Sequence, residues 1–215
     1  MGLAEFFARH AGEILESTGE HIWLVAWTMF FAIGMGVPLG ILVTRRPWLA
    51  KPIIGGANVA ETIPSLALFG FLLAMPWVGN RADRLAIVAL TLYALLPIIR
   101  NTSAGISGVD PAVREAARGM GMTDGQVLWR VELPLSMPTV IAGVRVATVL
   151  TIGIATIAAA VGAGGLGEFI FRGLAMVDDR VILAGAIPAA LLALAADFLL
   201  TLLERRLRPG PAGVR

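Results

Sequence analysis

The sequence predicts an all-α polytopic membrane protein, with about five transmembrane helices and an N-terminal amphipathic surface helix. Three observations carry that prediction. Of the 215 residues, 57% are hydrophobic and only 15% charged, whereas a soluble domain is nearer half apolar and a quarter charged. The mean hydropathy is +0.82. The apolar residues also gather into runs long enough to cross a bilayer, which takes roughly 20 residues of helix.

Taken in order, the N-terminus carries Leu3, Phe6, Phe7, His10, Ala11, Ile14 and Leu15 on one helical face, with Glu5, Arg9, Glu13 and Glu16 opposite. That pattern predicts a helix lying on the membrane surface. It lacks the basic start, apolar centre and small-residue cleavage site of a secretory signal. The first span is expected over 22–43, closed by Thr44, Arg45, Arg46 and Pro47. The second, 53–75, is interrupted by Thr62-Ile63-Pro64-Ser65, and the third, 85–99, is short, with Pro97 near its end. The fourth is expected over 138–160 and the fifth over 181–203. Residues 1–208 thus read as one transmembrane domain, and Pro209-Gly210-Pro211 opens a disordered tail over 209–215.

Five spans put the termini on opposite sides, and the basic residues choose the orientation. With the N-terminus outside, the cytoplasmic face receives Arg45, Arg46, Lys51, Arg100, Arg114, Arg118, Arg130, Arg205, Arg206, Arg208 and Arg215. The outer face keeps Arg9, Arg81, Arg84, Arg172 and Arg180 among an excess of carboxylates. The absence of cysteine excludes disulfides, thiolate metal sites and thiol nucleophiles. His10 and His21 both precede the expected first span, so no histidine-based metal site is expected. The formal charge of +2 is modest, its placement matters more than its sum, and no nucleic-acid partner is expected.

The polar stretch 110–134 separates the third and fourth spans and falls on the cytoplasmic side. Asp110-Pro111 is a helix start, an N-capping carboxylate followed by a proline at the first helical position. Gly119 and Gly121 stop that helix. Val113, Ala116, Ala117 and Met120 form a narrow face of mostly small side chains, flanked by Arg114, Glu115 and Arg118. Such a face suits a groove on another protein, or else a membrane surface. Thr123-Asp124 caps a second short helix, expected to end at Leu133-Pro134.

Charges inside spans are costly and usually have a purpose. Glu61, Arg145 and Asp197 all fall roughly 9–12 Å from the inner boundary at 1.5 Å rise per residue. Arg145 is expected to pair with one of the two carboxylates; the alternative is that each faces water separately. Pro64 frees carbonyls of the preceding turn, and irregular backbone survives in a membrane only against protein or a water-filled cavity. Glu61, Thr62, Pro64, Ser65, Arg145 and Asp197 are therefore the candidate pathway or gate residues. A packing kink is the other reading of Pro64.

Two signals mislead. Gly162-Ala163-Gly164-Gly165-Leu166-Gly167 matches G-x-G-x-x-G, yet it follows a span rather than a strand, and a tight turn using positive φ is expected instead. Trp23, Trp48 and Trp77 lie near span ends, where interfacial aromatics belong, and only Trp27 is inside a span. A cation cage is not expected in this chain.

The string Glu115-Ala116-Ala117, three residues, Gly121, nine residues, Val131, one residue, Leu133-Pro134 resembles the EAA loop of binding-protein-dependent ABC importer permeases. The family usually has isoleucine where Val131 stands. Glu61-Thr62-Ile63-Pro64-Ser65-Leu66-Ala67, Leu96-Pro97-Ile98-Ile99-Arg100-Asn101-Thr102 and the glycine-rich hexapeptide resemble the osmoprotectant branch, which takes up glycine betaine, choline and carnitine.

The resemblance implies that Glu115, Ala116, Ala117, Gly121, Val131, Leu133 and Pro134 couple the chain to a cytoplasmic ATPase subunit. ATP and magnesium would be bound by that partner, since no G-x-x-x-x-G-K-[ST] loop occurs here. It also implies a second permease copy or paralogue, a separate extracytoplasmic substrate-binding protein, and residence in the bacterial cytoplasmic membrane amid lipid. Two alternatives stay open: an importer of another small solute such as an amino acid, and a proton-coupled secondary transporter titrating Glu61 and Asp197.

Overall fold

The computed structural model describes residues 2–207, and every regular element among them is helical. The expected tail at 209–215 lies outside the described residues. In chain order the helices are α1 (Leu3–Arg9), α2 (Ala11–Arg45), α3 (Pro47–Thr62), α4 (Ser65–Leu73), α5 (Ala82–Ser107), α6 (Pro111–Gly119), α7 (Asp124–Val127), α8 (Leu133–Ala158), α9 (Gly167–Met176) and α10 (Asp179–Leu207). Four of the described helices are long and apolar enough to cross a membrane, and the bent pair α3–α4 makes up to a fifth.

The N-terminal helix is covered rather than free. Phe6 and Ile14 are buried with Phe169, Val181 and Ala184, while Leu3 and Leu15 from the same predicted face stay exposed. Burying two anchors against α9 and α10 removes more apolar surface from solvent than a flat surface position would. The expected surface helix therefore splits: α1 is short, and residues from Ala11 onward extend the first span into one helix of 35 residues.

Helices α3 and α4 meet at a 99° bend, with Ile63 and Pro64 both extended. The break is where Pro64 predicts it. Its backbone is satisfied from outside: Tyr93 Oη of α5 donates to the Ile63 carbonyl at 2.5 Å. The Thr62 hydroxyl donates to the Val59 carbonyl at 2.9 Å. Tyr93→Phe is expected to leave that carbonyl without its partner and to cost about 1–3 kcal/mol. A lower thermal unfolding midpoint of the purified protein in detergent would show it; an unchanged midpoint would mean that the bend is held without Tyr93.

Helix α5 is the centre of the bundle. It packs on α2, α3, α4 and α8 and, contrary to the expected short span ending at residue 99, continues past Pro97 to Ser107. Proline breaks an isolated helix, but a buried proline in a packed bundle is held in the helix by its neighbours. Asn101 Nδ2 donates to the Pro97 carbonyl at 2.8 Å. Small residues let the neighbours close in. A Cβ on Gly143 of α8 would lie 2.4 Å from Asn101 Cβ and 2.9 Å from the Pro97 oxygen, and one on Gly40 of α2 would lie 2.6 Å from Thr102 Cβ. Gly143→Val should therefore push α8 off α5, overpacking by about 1–3 kcal/mol or more. The reduced yield of folded protein in detergent is the readout, with Gly153→Val as control, since a Cβ at Gly153 meets nothing within 4 Å.

Helices α7 and α8 and the turns joined to them form one helical stretch, Asp124–Val161. The expected stop at Leu133-Pro134 and the expected start of the fourth span at Pro138 are both absent. A π turn over Leu128–Glu132 precedes Pro134, which sits in the first turn of α8. The wider turn takes up the register where the missing proline N–H would otherwise break the ladder.

Beyond it, Gly162, Gly164 and Gly165 adopt φ of 78°, 79° and 81°, the tight turn expected of this glycine run. At the start of α10, Asp178 accepts hydrogen bonds from the Arg180 side chain, which hold its carboxyl below the ordinary aspartate range. Helix α10 packs on α8 and α9 and leaves Leu191, Leu194, Phe198 and Leu199 exposed.

Candidate functional site

The polar segment is an ordered scaffold. Asp110 Oδ1 accepts the Ala112 N–H at 2.8 Å, capping α6 behind Pro111. The helix closes with Met122 N–H bonded to the Ala117 carbonyl at 3.2 Å around Gly121, whose φ is +83°. Thr123 and Gln126 form a reciprocal capping box at the start of α7.

Of the predicted residues, Glu115, Ala116 and Gly121 are exposed, as are Val113 and Met120. Ala117 is 2% exposed, so the small-residue face does not act as one surface. α6 packs on α7 and the π turn, and Ala117 allows that approach instead of meeting a partner directly. Val131 and Leu133 are half-buried and Pro134 is exposed.

One residue of this region carries a role that its sequence context does not announce. Glu132, between Val131 and Leu133, is 1% exposed. Its carboxylate accepts a hydrogen bond from Arg45 at the end of α2 and lies 4.0 Å from Arg114 Nη1 of α6. Arg114 Nη2 in turn donates to the Ser107 and Val109 carbonyls at 3.1 and 2.6 Å, where α5 ends. A buried carboxylate is tolerable only when paired in this way. The flanking Val131 and Leu133 are the only local sign that position 132 turns inward.

The charge within α8 is also paired. Arg145 Nη1 lies 3.5 Å from Asp197 Oδ1 and donates to Thr201 Oγ1 at 2.8 Å, and its Nη2 is 3.6 Å from Glu204 Oε2. Of the two carboxylates offered by the sequence, Asp197 is the one that Arg145 meets. Glu61 is exposed on α3 and stands apart from this network. Glu204, next to Arg205 and Arg206, looks in sequence like a solvated helix end but is buried.

At the opposite end of the bundle, Glu20 of α2 accepts the Gly165 N–H at 2.8 Å, and His21 Nε2 lies 3.1 Å from the Ile152 carbonyl. The glycine turn is thus clamped against α2. Arg45 and Arg114 meet at Glu132 at one end of the bundle, and Glu13 lies 3.5 Å from Arg172 at the other.

Known proteins resemble the chain over nearly its whole length. It is 43% identical over 211 residues to the osmoprotectant import permease protein OsmW of Salmonella typhimurium, covering 97% of this chain and 98% of that one. It is 44% identical over 207 residues to the carnitine transport permease protein OpuCB of Listeria monocytogenes (96% and 94% covered). It is 41% identical over 207 residues to the choline transport system permease protein OpuBB of Bacillus subtilis, with the same coverage. In fold it matches a chain of the MetNI methionine ABC transporter, with a TM-score of 0.82 at 23% identity, covering 91% of this chain and 96% of that one. Residues 36–209 match the model of binding-protein-dependent transport system inner membrane components. The chain belongs to that family.

Proposed function

We propose that the chain is the transmembrane subunit of an ATP-driven importer of osmoprotectants, quaternary ammonium compounds such as glycine betaine, choline and carnitine. The names of its relatives support the substrate class. The observation that carries the mechanism is the polar segment: a capped, exposed helix displaying Glu115 and Ala116 and stopped at Gly121, followed by α7, which is continuous through the π turn with a span.

In this reading the N-terminus lies outside and the polar segment in the cytoplasm, where α6 sits in a groove of the ATPase subunit. Two permease chains, identical or paralogous, enclose one pathway, and a separate binding protein delivers solute. ATP and magnesium belong to the ATPase. Its closure draws the two α6 helices together, and α5 and α8, fixed at either end of the segment, swing to open the pathway outward. Hydrolysis resets it.

Cross-linking tests the docking. Because the chain has no cysteine, Glu115→Cys supplies a single thiol. A photoactivatable reagent attached there is expected to capture the ATPase subunit in native membranes, while one on Val59→Cys, exposed on α3, is not. Equal capture from both positions would contradict the assignment.

A further inference from the structure

We infer that Glu132 is a positioning residue, the centre of a clamp through which the coupling segment drives the broken second span. The inference rests on the importer reading above. The segment's own helix reaches only α5 and α8 through the chain. Glu132 adds a third route. Its carboxylate holds Arg45, and one residue later the chain turns at Arg46 and enters α3 at Pro47. α3 and α4 form the 99° bend, so Arg45 sits at the root of the one span whose backbone is interrupted.

The same carboxylate faces Arg114, which fastens α6 to the terminal carbonyls of α5. One buried anion between two arginines thus joins the end of α2, the coupling helix, the end of α5 and the start of α8. The π turn at Leu128–Glu132 is what directs residue 132 inward, and such turns recur at functional sites. Without the carboxylate, two guanidinium groups face each other with nothing between them. The coupling helix then moves without carrying the α2–α3 corner, and hydrolysis continues unproductively.

The test uses the full complex, with ATPase and binding protein, in proteoliposomes. Uptake of labelled solute and phosphate release are measured together. For Glu132→Gln, and for the double variant Arg45→Cys with Glu132→Cys, ATP hydrolysed per solute should rise by about ten-fold, within the usual range of coupling between sites. Bridging the two cysteines with a short bifunctional methanethiosulfonate should bring the ratio back toward wild type, and a reductant should undo this.

A wild-type ratio in the unbridged double variant would overturn the clamp. So would uptake and hydrolysis falling together in proportion to assembled complex, which marks a merely structural pair. Arrest of uptake on bridging would overturn it too, since the two positions would then have to separate. Failure of the wild-type complex to take up solute with ATP would instead sink the importer reading itself.

Discussion

Gly121→Asp is expected to reduce solute uptake by about ten-fold or more while the permease still inserts in the membrane, as follows from losing on the order of 1.4 kcal/mol of productive engagement. Gly121 sits at φ +83° with nothing within 4 Å of where a Cβ would stand. Space is therefore not the constraint within this chain. A side chain there has two effects. It strains the left-handed backbone by about 1–2 kcal/mol, and it projects from the exposed end of α6, where the proposed ATPase contact would lie.

Aspartate also adds charge beside Glu115 and Asp124, both exposed. Asparagine tolerates the left-handed conformation and adds no charge. Gly121→Asn should therefore transport better than Gly121→Asp, and Gly121→Ala should report the strain with least bulk. Uptake and ATP hydrolysis in proteoliposomes, with membrane levels followed by immunoblot, separate the cases. Normal uptake by Gly121→Asp would mean that this turn does not meet the partner.

Arg145→Met is expected to cost more, at the level of the folded protein. Arg145 bridges Asp197, Thr201 and the buried Glu204 of α10. Removing one partner of a fully buried ion pair typically costs about 3–5 kcal/mol, and the loss here should be smaller because the Arg145 side chain is 30% exposed. Most of that loss should come through Glu204, because the Asp197 side chain is half exposed and solvent screens it. Arg145→Lys keeps the charge but not the fork that serves both carboxylates and the hydroxyl, so it should fall between. The readouts are the yield and thermal midpoint of purified complex, then uptake. If the methionine variant matches wild type in both, the network ties nothing together.

The spans were legible because each is a long apolar run, and the kink because Pro64 interrupts one. Their lengths were not. Glu13, Glu16 and Glu20 suggest an early boundary for α2, yet Glu13 and Glu20 meet Arg172 and Gly165 across the bundle. Pro97 and Pro134 are local stop signals that packing overrides, by burial of Pro97 inside the bundle for one and a π turn for the other.

That Arg145 could meet a carboxylate was readable because few charges share that depth in the membrane; the choice between Glu61 and Asp197 was not. Glu204 was hidden by its neighbours Arg205 and Arg206. Glu132 was hidden for a different reason. Its burial is a property of the assembled bundle, and Arg45 is 87 residues away in sequence. Similarly, Ala117 belongs to the motif by spacing, but only the packing of α6 on α7 shows that it faces inward.

Uptake of labelled glycine betaine and choline into proteoliposomes holding this chain with the proposed partner permease, ATPase and binding protein tests the importer assignment most directly. Each assay is run with and without enclosed ATP and a protonophore. Uptake that requires ATP and ignores the protonophore is the predicted result. Uptake that proceeds without the ATPase and collapses with the protonophore would contradict the account and return attention to Glu61 and Asp197.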